Sequence, residues 1–232
     1  VSPTLLFVHS PVAGPSTWHY VAEVLQQNGF RCLVPDLTGV AAAGGPYYPK
    51  YATAAAAAVD GEGAVALVGH SAAGALLPVV AEGLGDRVRA AVFVDAMLPQ
   101  PGRSWFDTAP PGLERQLRGL VDDGVLPPYH EWFPPGTLAE LVPDAARRDR
   151  LIGQNPQLPV AYFDEPAPPA RFADSIACAF VRLGAPFDAA ADKAERLGWW
   201  VTRRDWDHLR MLSDPDGVAD LIAHAISATH PD

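Results

Sequence analysis

A run of small and branched residues, Ala64-Val65-Ala66-Leu67-Val68, leads straight into Gly69-His70-Ser71-Ala72-Ala73-Gly74, after which leucines and further small residues continue in a helical pattern. A strand that turns this abruptly into a helix needs small residues two before and two after the central serine. Gly69 and Ala73 occupy those positions, with Gly74 immediately behind. Such a turn pushes the serine hydroxyl out above the sheet and aims the unpaired N–H groups of the helix start at the same spot. The motif therefore reads as a nucleophile elbow with Ser71 at its apex. The blander alternative is an ordinary strand-to-helix turn with Ser71 as an N-cap. The first 95 residues alternate such short apolar runs with helical periodicity, the pattern of a parallel sheet covered by helices.

The rest of the chain supplies the other layers of such a sheet. Leu5-Leu6-Phe7-Val8 predicts a buried strand, and Trp18, Val21, Ala22 and Leu25 then fall on one helical face that ends before Gly29. Arg31-Cys32-Leu33-Val34 predicts a second strand, Ala54 to Ala58 a helix, and Ala90 to Val94 a strand that ends at Asp95. From Leu98 to about Asp174 the texture changes, because proline pairs such as Pro110-Pro111 and Pro134-Pro135 break the helical patterns. Alternation resumes with a strand at Ala177 to Arg182, a helix at Ala189 to Leu197, a strand at Trp199 to Thr202, and a final helix carrying Val218, Leu221, Ile222 and Ala225. The expected organisation is an α/β core made of 1–97 and 175–232, interrupted by a helical, Pro-rich lid at 98–174. The aromatics of that lid, Trp105, Phe106, Tyr129, Trp132, Phe133, Tyr162 and Phe163, would suit the wall of an apolar pocket.

Composition narrows the partners. The 232 residues are 49% hydrophobic and 19% charged, which is too apolar for a disordered chain, and no apolar run approaches the length of a membrane span. With 27 acidic against 17 basic residues the net charge is −10, a field that repels nucleic acid and anionic lipid. A small-molecule substrate is the expected partner, with no nucleic acid and no membrane, and the oligomeric state is open. Cys32 and Cys178 lie in apolar runs, so neither a disulfide framework nor a zinc cluster is expected. With no basic leader followed by an apolar core at its start, the chain reads as cytoplasmic. No phosphate loop, dinucleotide fingerprint or metal-ligand cluster is visible, so no cofactor and no metal are expected.

His208 lies after the last predicted strand and before the final helix, in Asp207-His208-Leu209-Arg210-Met211-Leu212-Ser213-Asp214-Pro215. A base delivered from that loop follows the serine in the chain and reaches its Oγ from the side. His9 and His70 stand at strand ends where they can line the pocket. His19, His130, His224 and His230 read as helix or lid surface.

These pieces together resemble the α/β-hydrolase superfamily over essentially the whole chain. The matching segments are Leu-Phe-Val-His at 6–9, Trp18, Val-Pro-Asp-Leu at 34–37, Gly-His-Ser at 69–71, Val-Phe-Val-Asp-Ala-Met-Leu-Pro at 92–99, and the His208 segment. Within the superfamily the chain is most similar to the small-lid branch of hydroxynitrile lyases, methylesterases and their bacterial relatives. The resemblance implies a triad of Ser71, His208 and a carboxylate, for which two positions compete. Asp188 has the usual topological location, although Gly184-Ala185-Pro186-Phe187-Asp188 places it one residue late. Asp95 directly follows the fourth strand, resembling the alternative acid position of haloalkane dehalogenases and some lipases, and is the preferred of the two. Asp207 adjoins His208 too closely to reach its far nitrogen squarely and reads as loop structure.

The departure from the family pattern is His9-Ser10-Pro11, where a His-Gly-x triplet usually supplies half of the oxyanion hole through the N–H of x. Pro11 has no N–H. Ala72 then remains as one donor, and either the Ser10 hydroxyl or, with a shift of one residue, the Val12 N–H supplies the other. The leading function is a Ser-His-Asp esterase, thioesterase or lactonase acting on small to medium neutral or hydrophobic substrates. Lyase, cyclase or dehydratase chemistry on a carbonyl compound such as a polyketide is the second reading, favoured by Pro11, and a ligand-binding protein the third. Dehalogenase chemistry is disfavoured, since a serine stands where an aspartate nucleophile would be needed.

Overall fold

The computed structural model describes residues 2–229. Its first strand, β1 (Thr4–Val8), is followed by α1 (Ser16–Gln27), β2 (Cys32–Leu33), α2 (Tyr47–Ala57), β3 (Val65–Ser71), α3 (Leu77–Leu84) and β4 (Val88–Ala96). The segment between β4 and the next sheet strand holds α4 (Trp105–Thr108), α5 (Leu113–Arg118), β5 (Val125–Leu126), α6 (Thr137–Leu141), α7 (Ala145–Gly153), β6 (Leu158–Pro159) and α8 (Val160–Asp164). Then come β7 (Ala177–Arg182), α9 (Asp188–Arg196), β8 (Trp200–Arg203), α10 (Arg210–Ser213) and α11 (Pro215–Thr229).

Six strands form one parallel sheet in the order β2-β1-β3-β4-β7-β8. The inner strands are apolar on both faces because both faces are covered, which is why they read as continuous hydrophobic runs. Leu5, Phe7, Ala66, Val68 and Val92 pack on one side with Trp18 and Leu25 of α1 and Ile222 of α11. Leu6, Val8, Leu67 and Phe93 pack on the other with Tyr51 of α2, Val80 of α3 and Ala191 of α9. This is the expected α/β-hydrolase fold. Among the described residues, no helix is long and apolar enough to cross a membrane.

The elements differ from expectation at their ends. β2 is reduced to Cys32–Leu33, whereas β4 extends in both directions to Val88–Ala96 and β8 runs one residue later than expected. α2 begins at Tyr47, well before the alanine run, with Pro49 in its first turn where a missing N–H leaves no helix bond unmade. Its start is fixed from outside. The carboxylate of Glu165, just beyond α8, accepts the N–H groups of Tyr47 and Tyr48 at 2.8 and 3.0 Å. Gln154 does the same for α1, its Oε1 accepting the Ser16 N–H at 2.8 Å. Two core helices are thus capped by side chains of the inserted segment.

Most aromatics of that segment pack on one another. Trp105, Phe106, Trp132 and Tyr162 all contact the Phe163 ring with centroids 5.0 to 5.8 Å apart. Through Tyr162, which also packs on Tyr47, Tyr48 and Tyr51 of α2, they are continuous with the core on that side of the sheet, and of the seven aromatics expected to wall a pocket only Tyr129 lines the cleft described below.

Candidate active site

Ser71 is the last residue of β3 and has φ 58° and ψ −129°, a conformation costly for any side chain but glycine. The surrounding packing enforces it. A Cβ at Gly74 would sit 2.1 Å from the Met97 carbonyl oxygen, so the backbone of the turn lies directly against the end of β4. This explains why alanine is tolerated at position 73: the close approach that demands glycine falls one residue later. Ala72 opens a short 3-10 turn, and its N–H has no protein partner among the described residues.

The same end of the sheet positions the carboxylate. His70 lies opposite Val94 and Ser71 opposite Ala96, which leaves Asp95 as an extra, bulged residue with φ 41°. The bulge turns a fully buried side chain toward the neighbouring strand. Asp95 Oδ1 accepts the N–H groups of Leu183 and Gly184 at 2.5 and 3.2 Å, and Oδ2 accepts Nδ1–H of His208 at 3.2 Å. A proton on Nδ1 leaves Nε2 of a neutral His208 with its lone pair free, the tautomer a general base requires. The Phe187 ring stacks on the imidazole, with centroids 5.0 Å apart and planes 8° from parallel.

Ser71 and His208 line one narrow cleft with Ser10, Val12 and Tyr129. No hydrogen bond joins the two side chains, and bonds of this kind often tighten only around a bound substrate. Burial pushes the Tyr129 phenol up to about 12, so it is a neutral wall of the cleft. A larger, open depression at the start of β7 and β8 contains none of these residues.

The other candidates sort themselves by their partners. Asp188 does not approach His208. It is half exposed and bound by Arg182 Nε at 2.6 Å, and the same guanidinium reaches Asp205 at 3.0 Å. That bond holds the Asp188 carboxyl below its usual range. Asp207 accepts the Leu209 N–H at 2.9 Å and is loop structure.

His9 does not line the cleft either. Its Nδ1–H donates to the Ser10 carbonyl and its Nε2 accepts the Leu37 N–H, both at 2.9 Å, so the ring ties the end of β1 to the loop after β2. Desolvation lowers its pKa to about 4 and keeps it neutral. His70, by contrast, does line the cleft. His19, His130 and His224 are not among the cleft residues, and His230 lies outside the described ones.

Pro11 is likewise absent from the lining. Ala13 N–H donates to the Ser10 carbonyl at 3.0 Å, closing a turn with Pro11 and Val12 at its centre. The Val12 N–H makes no hydrogen bond among the described residues and Val12 faces the cleft, while the Ser10 hydroxyl is buried without a partner. The one signal that could have separated Pro11 from Val12 beforehand is the preference of proline for the second position of a turn. Among the described residues no three His, Cys, Asp or Glu side chains group as metal ligands.

A serine at the tip of a central parallel strand, facing an imidazole that arrives after the last strand, is how the α/β-hydrolase class arranges its chemistry. The chain belongs to the alpha/beta hydrolase family, whose family model matches residues 5–221. It is 36% identical over 130 residues to a rice protein (Oryza sativa subsp. indica) named "Probable esterase PIR7A", a match covering 51% of this chain and 46% of the rice protein. The chain thus spans about half the length of the curated relatives it matches. Among solved structures it resembles a pyrethroid hydrolase from Sphingobium faniae JZ-2, with TM-score 0.72 and 21% identity over 98% of each chain. Tomato methylketone synthase I, bound to beta-ketoheptanoate, superposes with TM-score 0.71 and 16% identity over 99% of this chain and 100% of the other. At these identities the likeness is one of fold.

Proposed function

We propose that the protein is a serine hydrolase that cleaves small to medium, neutral or hydrophobic esters, thioesters or lactones, with Ser71 as nucleophile, His208 as base and Asp95 as the triad acid. The observation that carries this reading is the Asp95–His208 hydrogen bond, which fixes the imidazole tautomer at the edge of the cleft that Ser71 also lines. His208 Nε2 takes the Ser71 proton as Oγ attacks the substrate carbonyl carbon. The resulting oxyanion is received by the N–H groups of Ala72 and Val12. His208 then returns the proton to the leaving alcohol or thiol, or to the ring-opened hydroxyl of a lactone. Water, activated by the same imidazole, releases the acid from the acyl-serine.

The segment 98–174 acts as the lid of this site, contributing Tyr129 to the cleft. Val12, Tyr129, Leu151 and Leu209 give the cleft an apolar lining without a cationic side chain, which supports uncharged substrates. The free thiols Cys32 and Cys178 support a reducing, cytoplasmic setting.

A fluorophosphonate probe tests the reading directly. The expected result is a single adduct on Ser71, located by mass spectrometry and abolished in Ser71→Ala. Folded wild-type protein that turns over a carbonyl substrate yet takes no adduct would overturn it in favour of acid–base chemistry without an acyl-enzyme. Absence of both adduct and turnover across ester, thioester and lactone panels would favour a ligand-binding protein.

A further inference from the structure

The residue beside the nucleophile has a place that the triad does not account for. His70 is fully buried, and its Nε2 lies 3.0 Å from the backbone carbonyl oxygen of His208. A carbonyl only accepts, so the His70 proton is on Nε2 and donates to it. Burial and the neighbouring His208 hold the His70 pKa well below its usual value, so the ring is neutral and carries that one proton. Its face lies on the His208 ring, with centroids 4.3 Å apart and planes at 33°. On another side the Trp18 ring meets it edge to face at 5.9 Å, and the Trp18 indole N–H is itself bonded to the Val8 carbonyl at 3.3 Å. The hold on His208 therefore leads back to α1 and β1, two of the most buried parts of the core.

We propose that His70 is a positioning residue that fixes His208 by its backbone and by one ring face, complementing Asp95, which fixes it by Nδ1. This rests on the reading of His208 as the base. The need for it follows from the site of His208 in the chain. The residue lies in a loop after β8, an edge strand of four residues, and such segments are freer than a central strand. Asp95 orients the ring through one hydrogen bond and Phe187 stacks on it, but neither contact holds the main chain. The donor from His70 adds an anchor on the main chain, and it comes from the residue covalently joined to Ser71, so base and nucleophile are referenced to the same point of β3. A displacement of about 1 Å at such a site is enough to lower turnover about 100-fold.

Two near-isosteric variants separate the donor from the ring. His70→Phe keeps an aromatic face and removes the donor, and His70→Gln keeps an N–H donor at similar reach and removes the ring. With p-nitrophenyl acetate, His70→Phe should lower kcat by about 10- to 100-fold with KM nearly unchanged, the size of effect expected for one lost buried hydrogen bond acting on the transition state. His70→Gln should recover most of that loss. Proton NMR reads the same event without turnover: the His208 Nδ1–H bonded to Asp95 should give a slowly exchanging downfield signal in wild type and His70→Gln, absent in Asp95→Asn and broadened away in His70→Phe. An equally sharp signal in folded His70→Phe overturns the proposal, as does a folded His70→Gln that loses signal and turnover as fully as His70→Phe. If instead Ser71→Ala retains esterase activity, the hydrolase reading fails, while the NMR comparison still decides whether His70 positions His208.

Discussion

Arg182 binds Asp188 at 2.6 Å, and with that ion pair the carboxylate at the customary acid position of the fold is engaged away from His208. The same guanidinium binds the Arg204 carbonyl and Asp205 on the segment leading to His208. In this chain that position braces the segment leading to His208, and the carboxylate hydrogen-bonded to His208 Nδ1 comes from β4.

Replacing the two carboxylates should consequently give opposite results. Asp95→Asn should reduce kcat by about four orders of magnitude, because an amide favours the wrong imidazole tautomer. Asp188→Asn should leave kcat within about tenfold of wild type, since the amide oxygen can still accept from Arg182 and the guanidinium keeps its bond to Asp205. Steady-state rates on one activated ester, with circular dichroism to verify the fold, make the comparison. A large loss in Asp188→Asn alone would reverse the assignment.

The oxyanion donors can be separated in the same assay. With Val12 lining the cleft and its N–H unpaired, Pro11→Gly should give no increase and should slow the enzyme a little by loosening the turn. Ser10→Ala should keep most activity. A rise of about tenfold or more in Pro11→Gly would instead locate the missing donor at position 11, and a loss of about 100-fold or more in Ser10→Ala would assign it to the hydroxyl.

Acid should destabilise the fold through His9. In the unfolded chain a histidine takes up a proton below about pH 6.5. In the folded protein His9 remains neutral down to about 4 because burial disfavours its charge. Between these values the unfolded state binds more protons, so stability is complete above pH 6.5 and is lost as the pH falls. The full difference amounts to roughly 3 kcal/mol. Burial of His70 acts in the same direction. Urea midpoints at pH 7 and pH 5 should fall with acid in wild type and fall less in His9→Gln.

Glu165 offers a test of how the inserted segment is fastened. Glu165→Ala leaves the Tyr47 and Tyr48 N–H groups without their acceptor and should lower stability by about 1 to 2 kcal/mol in thermal unfolding, in the range of a lost helix cap. Glu165→Gln, which keeps an acceptor oxygen, should restore part of it. Equal stability of all three proteins would mean that solvent caps α2 as well as the side chain does.

What the sequence made legible was whatever depends on neighbours in the chain. The elbow at Ser71 follows from five apolar residues and a glycine-flanked turn, and His208 follows from the order of strands. Asp95 is legible as a candidate acid because it follows the apolar run Ala90 to Val94, although β4 continues past it to Ala96. Other features depend on partners far away in sequence. The start of α2 at Tyr47 is set by Glu165, over 100 positions later, and no local cap announces it. His9 has the look of a pocket residue until Leu37 is seen to occupy its free nitrogen. The engagement of Asp188 by Arg182, which reads as the end of a buried strand, likewise has no local signal.

The bulge at Asp95 also bears on how such a chain can change over generations. A fully buried residue at φ 41° admits few replacements, and those that tolerate this backbone best are glycine and asparagine. Both are one nucleotide away from an aspartate codon. Under the proposed mechanism a single point mutation can therefore take the carboxylate away from His208 while β4 keeps its bulged backbone, so the fold by itself does not protect the chemistry.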